Sequence, residues 1–166
     1  MVLLFPGLAS GETMKDLVQT DGLYYKKFTD VPFTGKVTEG LTQGKLKNGK
    51  WVGPWVRYHD NGGVESKGTF KNGKRDGPYV GYWKNGQLAS KGTRKDGKRD
   101  GPWVTYHSIG ELRSKGTYKD GKMDGPWVYY WSNGGLSSKG TYKNGKYVGP
   151  WVTYHKNGQL WFKKTY

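Results

Sequence analysis

One spacing constrains this chain more than anything else in it. Gly53-Pro54-Trp55-Val56 recurs as Gly77-Pro78-Tyr79-Val80, Gly101-Pro102-Trp103-Val104, Gly125-Pro126-Trp127-Val128 and Gly149-Pro150-Trp151-Val152, each copy starting 24 positions after the last. A second marker keeps the same step: Lys67-Gly68-Thr69-Phe70, Lys91-Gly92-Thr93-Arg94, Lys115-Gly116-Thr117-Tyr118 and Lys139-Gly140-Thr141-Tyr142. Self-similarity at such a period means a repeat architecture, in which a unit buries its apolar face only against its neighbours. Residues 51–166 hold five of these units. Residues 21–50 read as an irregular capping unit, with Gly22-Leu23-Tyr24-Tyr25 and Lys47-Asn48-Gly49-Lys50 as its fragments of the pattern.

Two turn signals divide each period. Asn61-Gly62 recurs as Asn85-Gly86, Asn133-Gly134 and Asn157-Gly158, with Ile109-Gly110 as the odd copy; Asn72-Gly73 recurs as Asp96-Gly97, Asp120-Gly121 and Asn144-Gly145. Asn-Gly and Asp-Gly supply the positive φ values of a two-residue type I′ turn, so both sets are read as hairpin turns joining alternating strands. The Gly-Pro pairs open the first strand of each hairpin, where a residue without an N–H is tolerated. The fold class is therefore all-β: an elongated, twisted antiparallel sheet of 24-residue hairpins.

Counting outward from Ile109-Gly110 pairs Tyr106 with Arg113, Thr105 with Ser114, Val104 with Lys115 and Trp103 with Gly116. One face then carries Trp103, Thr105, His107, Leu112, Ser114, Gly116 and Tyr118, with the Trp103 indole over Gly116 as an aromatic rescue. The other carries Val104, Tyr106, Arg113, Lys115 and Thr117. The first face should be dry, and the second a wet surface of tyrosine ringed by lysine.

Composition agrees that the chain folds around rings. Hydrophobic residues are only 33% of the 166 and mean hydropathy is -0.89, near the disordered range, but 16% are aromatic, including eight Trp and thirteen Tyr. There is no Cys, which removes disulfides, thiolate nucleophiles and thiolate metal sites, and the net charge of +15 favours anionic partners.

The residues resemble the MORN repeat family. Tyr118-Lys119-Asp120-Gly121-Lys122-Met123-Asp124-Gly125 follows its pattern of an aromatic, a turn glycine and a second glycine four positions on. Gly-Pro-Trp-Val at the second glycine and the 24-residue step are similar to the bacterial variant found in YwqK-type antitoxin proteins, as is the opening segment from Asp21 to Gly35. The resemblance implies a twisted antiparallel rod with a non-enzymatic binding role, in some members beside a toxin.

The residues themselves point away from chemistry. His59, His107 and His155 alternate with Trp83 and Trp131 at equivalent positions, about 19 Å apart across four strands, so they read as half-buried rings and not as ligands of one metal. Asp76, Asp100 and Asp124 precede the Gly-Pro pairs without one differing from the next, and Asp96 and Asp120 lie inside turns. No nucleophile elbow, P-loop or dinucleotide fingerprint occurs. No enzyme, cofactor or metal is expected. The candidate binding residues are the tyrosines and lysines of the wet face: Tyr58, Tyr82, Tyr106, Tyr130, Tyr154, Lys67, Lys91, Lys115 and Lys139. The bland alternative is that these lysines keep a long sheet soluble and unpaired.

The expected function is a repeat module for protein–protein interaction, antitoxin-like, with a protein partner such as a toxin. The alternative is an electrostatic binder of anionic lipid or cell-envelope polymer. Arginine is scarce, which argues against sequence-specific DNA recognition. Residues 1–20 read as a leader whose Leu3 to Gly11 is similar to the end of an export signal lacking its basic flank; the protein is exported or periplasmic on that reading and cytoplasmic otherwise. No apolar stretch reaches the length of a membrane-spanning helix.

Overall fold

The structure is a computed structural model and describes residues 11–166. Five strands form the opening unit: β1 (Glu12–Thr13), β2 (Leu17–Thr20), β3 (Leu23–Lys26), β4 (Gly35–Glu39) and β5 (Thr42–Lys47). The repeats contribute β6 (Lys50–Tyr58), β7 (Val64–Lys71), β8 (Lys74–Tyr82), β9 (Leu88–Lys95), β10 (Lys98–Tyr106), β11 (Leu112–Lys119), β12 (Lys122–Met123), β13 (Gly125–Tyr130), β14 (Leu136–Lys143), β15 (Lys146–Tyr154) and β16 (Leu160–Thr165). Apart from β2 and β3, which pair only with each other, the strands form one sheet in chain order from β4 to β16, except that β13 pairs directly with β11 and the short β12 pairs with β11 alone; β1 is added parallel to β4. The sole helical element among the described residues is one 3₁₀ turn, Met14–Asp16. The expected all-β, elongated hairpin sheet is what forms.

The leader reading spans residues 1–20, of which 1–10 lie outside the described residues. Residues 12–20 belong to the fold. They supply β1 and β2, and Leu17 is buried with Val37, Leu46 and Trp51 in a small core at this end of the sheet.

The two turn sets are not alike. Asn72-Gly73, Asp96-Gly97, Asp120-Gly121 and Asn144-Gly145 have positive φ at both residues, as a type I′ turn requires. In the other set only the glycine does. There Gly110 N–H donates to the His107 carbonyl and His107 N–H to the Glu111 carbonyl, which makes a three-residue loop: a type I turn closed by a left-handed glycine. The extra loop residue shifts the register. Trp103 still faces Gly116, Val104 faces Lys115 and Thr105 faces Ser114, but Tyr106 faces Leu112 instead of Arg113. Leu112 therefore sits with Tyr106, and its expected place on the dry face is corrected.

The Gly-Pro pairs are corrected as well. In four of the five repeats they lie inside the first strand, which begins three residues earlier; in the fourth, β13 opens at Gly125 as expected. Phe70 faces Arg75 and Gly68 faces Tyr79, leaving Asp76, Gly77 and Pro78 against Thr69 alone. This bulge needs a backbone near φ +103° at Gly77 and gives Pro78 a position where no ladder N–H is lost. The same bulge in the third hairpin leaves the Thr117 carbonyl without a ladder partner, and it accepts from both Asp124 N–H (3.0 Å) and the Trp127 indole (3.1 Å).

The dry face is the tryptophan face. Trp103 is 1% and Trp127 2% exposed, although the sheet is one layer thick, because rings from adjacent strands cover them. Tyr79 stacks on Trp103 at 5.5 Å, Tyr118 meets Trp103 and Trp127 edge-on, and Tyr142 meets Trp127 and Trp151 edge-on. The direction of the aromatic rescue differs from expectation. The Trp103 indole fills the space of a Cβ at Gly92, in the preceding hairpin, while Gly116 is covered by Trp127 and Gly140 by Trp151. Only Trp55 leans forward, over Gly68, where the next repeat supplies Tyr79 in place of tryptophan. Each of these later indoles thus joins one repeat to the one before it.

Candidate binding surface

On the opposite face the register builds one continuous row. Val56 faces Lys67, Lys67 faces Val80, Val80 faces Lys91, and the alternation runs on through Val104, Lys115, Val128 and Lys139 to Val152. Each valine is half-buried and each lysine exposed. Successive lysines are two strands apart, about 10 Å. Among the described residues none of Lys67, Lys91, Lys115 and Lys139 belongs to an ion pair; those pairs are Lys26–Glu12, Arg57–Glu65, Lys84–Asp60 and Lys143–Asp124.

The row has a fifth lysine that the sequence reading missed. Lys163 faces Val152. It stands 24 residues after Lys139, but the glycine that marks the motif is replaced by Lys164, so a search for Lys-Gly-Thr passes over it.

The tyrosines form a separate row. Tyr58, Tyr82, Tyr106, Tyr130 and Tyr154 face Val64, Leu88, Leu112, Leu136 and Leu160, and all five are half-buried. The expected surface of tyrosine ringed by lysine is instead two parallel strips, one of lysine with valine and one of tyrosine with leucine. The bulge beside each tip brings the aliphatic residue to the tyrosine and separates the strips.

The tips are tied together by side chains. His59 Nε2 lies 3.0 Å from the Tyr82 carbonyl and His107 Nε2 3.0 Å from that of Tyr130. Trp83 and Trp131 donate from Nε1 to the Tyr106 and Tyr154 carbonyls, both at 3.2 Å. A carbonyl only accepts, so His59 and His107 carry their proton on Nε2 and act as the indole does. This explains why His and Trp exchange along the repeat: both offer one ring N–H at that reach. Asn61, Asn85 and Asn133 each donate a hydrogen bond from Nδ2, to the carbonyls of Lys84, Ser108 and Lys156 respectively. Lys84 also bridges to Asp60 at 2.9 Å, and this hydrogen bond and charge hold the Asp60 carboxyl below its usual range.

The opposite edge has its own ties. Asp76, Asp100 and Asp124 accept the backbone N–H of Asp96, Asp120 and Asn144 at 3.0 to 3.1 Å, so each carboxylate staples the turn of the next hairpin. Among the described residues no group of three His, Cys, Asp or Glu is placed to hold a metal ion. What the wet face can do chemically is grip anionic groups at a regular spacing while the valines between offer apolar contact.

These features define a class: a β-hairpin repeat scaffold with one face spent on its core and one presented. Comparison with protein families matches the MORN repeat variant at residues 51–72, 75–96, 99–120, 123–144 and 147–166, and the MORN repeat at residues 67–78. The chain belongs to the MORN repeat variant family, whose repeat is of a non-catalytic, binding type. Comparison with curated proteins finds no match.

Proposed function

We propose that this chain is a non-enzymatic scaffold that docks an acidic protein partner along the lysine–valine row, with the tyrosine–leucine strip beside it as apolar anchorage. The observation that supports this reading most is the pairing itself. Lys67, Lys91, Lys115 and Lys139 are each exposed, free of ion pairs among the described residues and flanked by two half-buried valines, an arrangement that combines charge steering with desolvated contact. The resemblance to YwqK-type proteins makes a toxin the first partner to test, with the chain acting as its antitoxin. Co-purification with the product of an adjacent gene, compared between the native chain and Lys67, Lys91, Lys115 and Lys139 all changed to Glu, tests the surface. Capture should be lost in the variant while its fold is kept; capture unaffected by four reversed charges would rule the row out.

A second reading, bulk electrostatic binding of an anionic lipid or polymer, is favoured by one specific feature. At the type I′ turns Lys47 faces Lys50, Lys71 faces Lys74, Lys95 faces Lys98, Lys119 faces Lys122 and Lys143 faces Lys146. Directly opposed like charges are destabilising, and five such pairs line one edge. Ionic strength separates the two readings: the bulk-charge complex weakens steeply as salt rises, whereas a partner held by the valine and tyrosine strips retains most of its affinity.

A further inference from the structure

The dry face contains one place where the repeat abandons apolar packing. Across the type I′ turns the facing dry-side residues are Leu46 and Trp51, Phe70 and Arg75, Tyr118 and Met123, Tyr142 and Tyr147. At the remaining turn they are Arg94 and Arg99. Two like charges thus stand directly opposite each other, where a cross-strand pair brings Cβ atoms to about 5 Å. Arg75 joins them from the preceding link, so three of the chain's five arginines gather here.

The guanidinium groups lie on the aromatic column. Arg75 is 4.7 Å from the Trp55 ring; Arg94 is 5.2 Å from Tyr79 and 5.7 Å from Trp103; Arg99 is 4.4 Å from Trp103 and 5.2 Å from Tyr118. Their donors are mostly unspent. Arg94 Nη1 bonds the Gly97 carbonyl at 2.9 Å and Arg99 Nη1 the Tyr118 hydroxyl at 2.8 Å, while Arg94 Nε is buried without a partner. Burial first, then the charges of Arg75 and Arg99, lowers the Arg94 pKa, the direction expected of a cation lacking a counter-charge.

No carboxylate answers the cluster among the described residues, although the chain supplies one elsewhere: Arg57 holds Glu65 at 2.8 Å. Asp76 and Asp100 follow Arg75 and Arg99 directly, but strand alternation turns them to the other face, where they accept turn N–H groups. Three cations with a surplus of forked donors, held in place by rings, match a group of two negative charges with several acceptor oxygens.

We propose that Arg75, Arg94 and Arg99 form a binding site for a phosphoryl dianion. This site lies on the dry face and is independent of the lysine–valine row. Its test uses the whole chain and thermal unfolding in sodium phosphate against sodium chloride and sodium acetate of equal ionic strength. Phosphate near 100 times its Kd should raise Tm by on the order of 5 °C beyond the chloride control. The double variant Arg94→Tyr with Arg99→Met installs the residues that the fourth turn already uses, at Tyr118 and Met123, and should abolish that rise. Arg94→Lys keeps the charge without the fork and should weaken phosphate binding at least tenfold, and Lys91→Ala with Lys115→Ala should leave it intact. Sedimentation with phosphatidylcholine vesicles containing phosphatidic acid then separates sources. Pelleting that needs the arginines assigns a lipid phosphate, and no pelleting despite the Tm response assigns a soluble one. The proposal is overturned if phosphate gives no rise beyond chloride, if acetate matches it, if the Tyr/Met variant responds equally, or if the lysine pair removes the response.

Discussion

The middle hairpins and the C-terminal hairpins share a backbone but not a core. From β11 to β15 the dry face is a run of rings: Trp127 meets Tyr118 at 5.2 Å, Tyr142 meets Trp151 at 5.4 Å and Tyr147 meets Trp151 at 4.6 Å. From β8 to β10 the same positions hold Tyr79 for a tryptophan, Arg94 for Tyr118 or Tyr142, and Arg99 for Met123 or Tyr147. The turns, bulges and staples are common to both. The hairpin geometry is therefore set by glycine, asparagine and aspartate, and the dry face is free to trade packing for charge at one site.

The largest effect that could break this comparison is excision. Deleting residues 125–148 removes Trp127, Tyr129, Tyr142 and Tyr147, whereas deleting 77–100 removes the Arg94 repeat; both preserve the period. Both products should fold, since each hairpin meets only its neighbours. The first should lose several kcal/mol more, about 0.5–1.5 for each ring pair removed beyond its burial. Equal losses in chemical denaturation would make the column irrelevant to stability.

Alkaline titration sharpens it next. Burial holds the hydroxyls of Tyr129 and Tyr142 above the usual tyrosine pKa of 10.0, and the hydrogen bond that Tyr142 shares with Tyr129 adds to the rise at Tyr142. A raised folded-state pKa means stability that is whole below pH 10 and lost as pH climbs past it, since the unfolded chain releases these protons first. Hydrogen exchange should show the C-terminal hairpins opening before the middle ones above that pH, the reverse of the order expected at neutrality.

Replacing Arg94 and Arg99 by Tyr and Met should stabilise the chain by about 1 kcal/mol, because an opposed like-charge pair gives way to an apolar one. A smaller gain is expected at the odd tip. Ile109 is 61% exposed where other tips use asparagine, and Ile109→Asn restores one bond within the loop and one to the next tip, worth roughly 0.5–1.5 kcal/mol each. A Tm unchanged by that substitution would show that the tip ladder carries no stability.

Much of this architecture was legible in the sequence because its causes are local. Asn-Gly and Asp-Gly fix the type I′ turns, and strand alternation puts Trp103, Ser114 and Tyr118 on one face and Val104 and Lys115 on the other. What escaped depends on geometry that one dipeptide does not encode. Ile109-Gly110 looks like the tip of a two-residue turn, yet the loop takes three residues, and that moved Leu112 across to Tyr106. The lean of Trp103 toward Gly92 depends on sheet twist between hairpins, and register alone makes Gly92 and Gly116 equal candidates, since Trp103 faces both. The lysine row could be read from the period, but the arginine cluster could not: Arg75, Arg94 and Arg99 lie in two repeats and three strands and meet only through cross-strand pairing.

From the third repeat on, Trp103, Trp127 and Trp151 each weld a hairpin to the one before it and leave the opposite face uncovered. A double-mutant cycle on Gly116→Ala with Trp127→Ala, set against Gly116→Ala with Trp103→Ala, measures this joining by chemical denaturation. Each tryptophan truncation alone should cost about 3–5 kcal/mol. Gly116→Ala should be strongly destabilising in the native chain and nearly silent once Trp127 is removed, a coupling of about 2 kcal/mol, with little coupling to Trp103. Coupling to Trp103 and none to Trp127 would contradict this, and would place the bond between strands of one hairpin instead of between repeats.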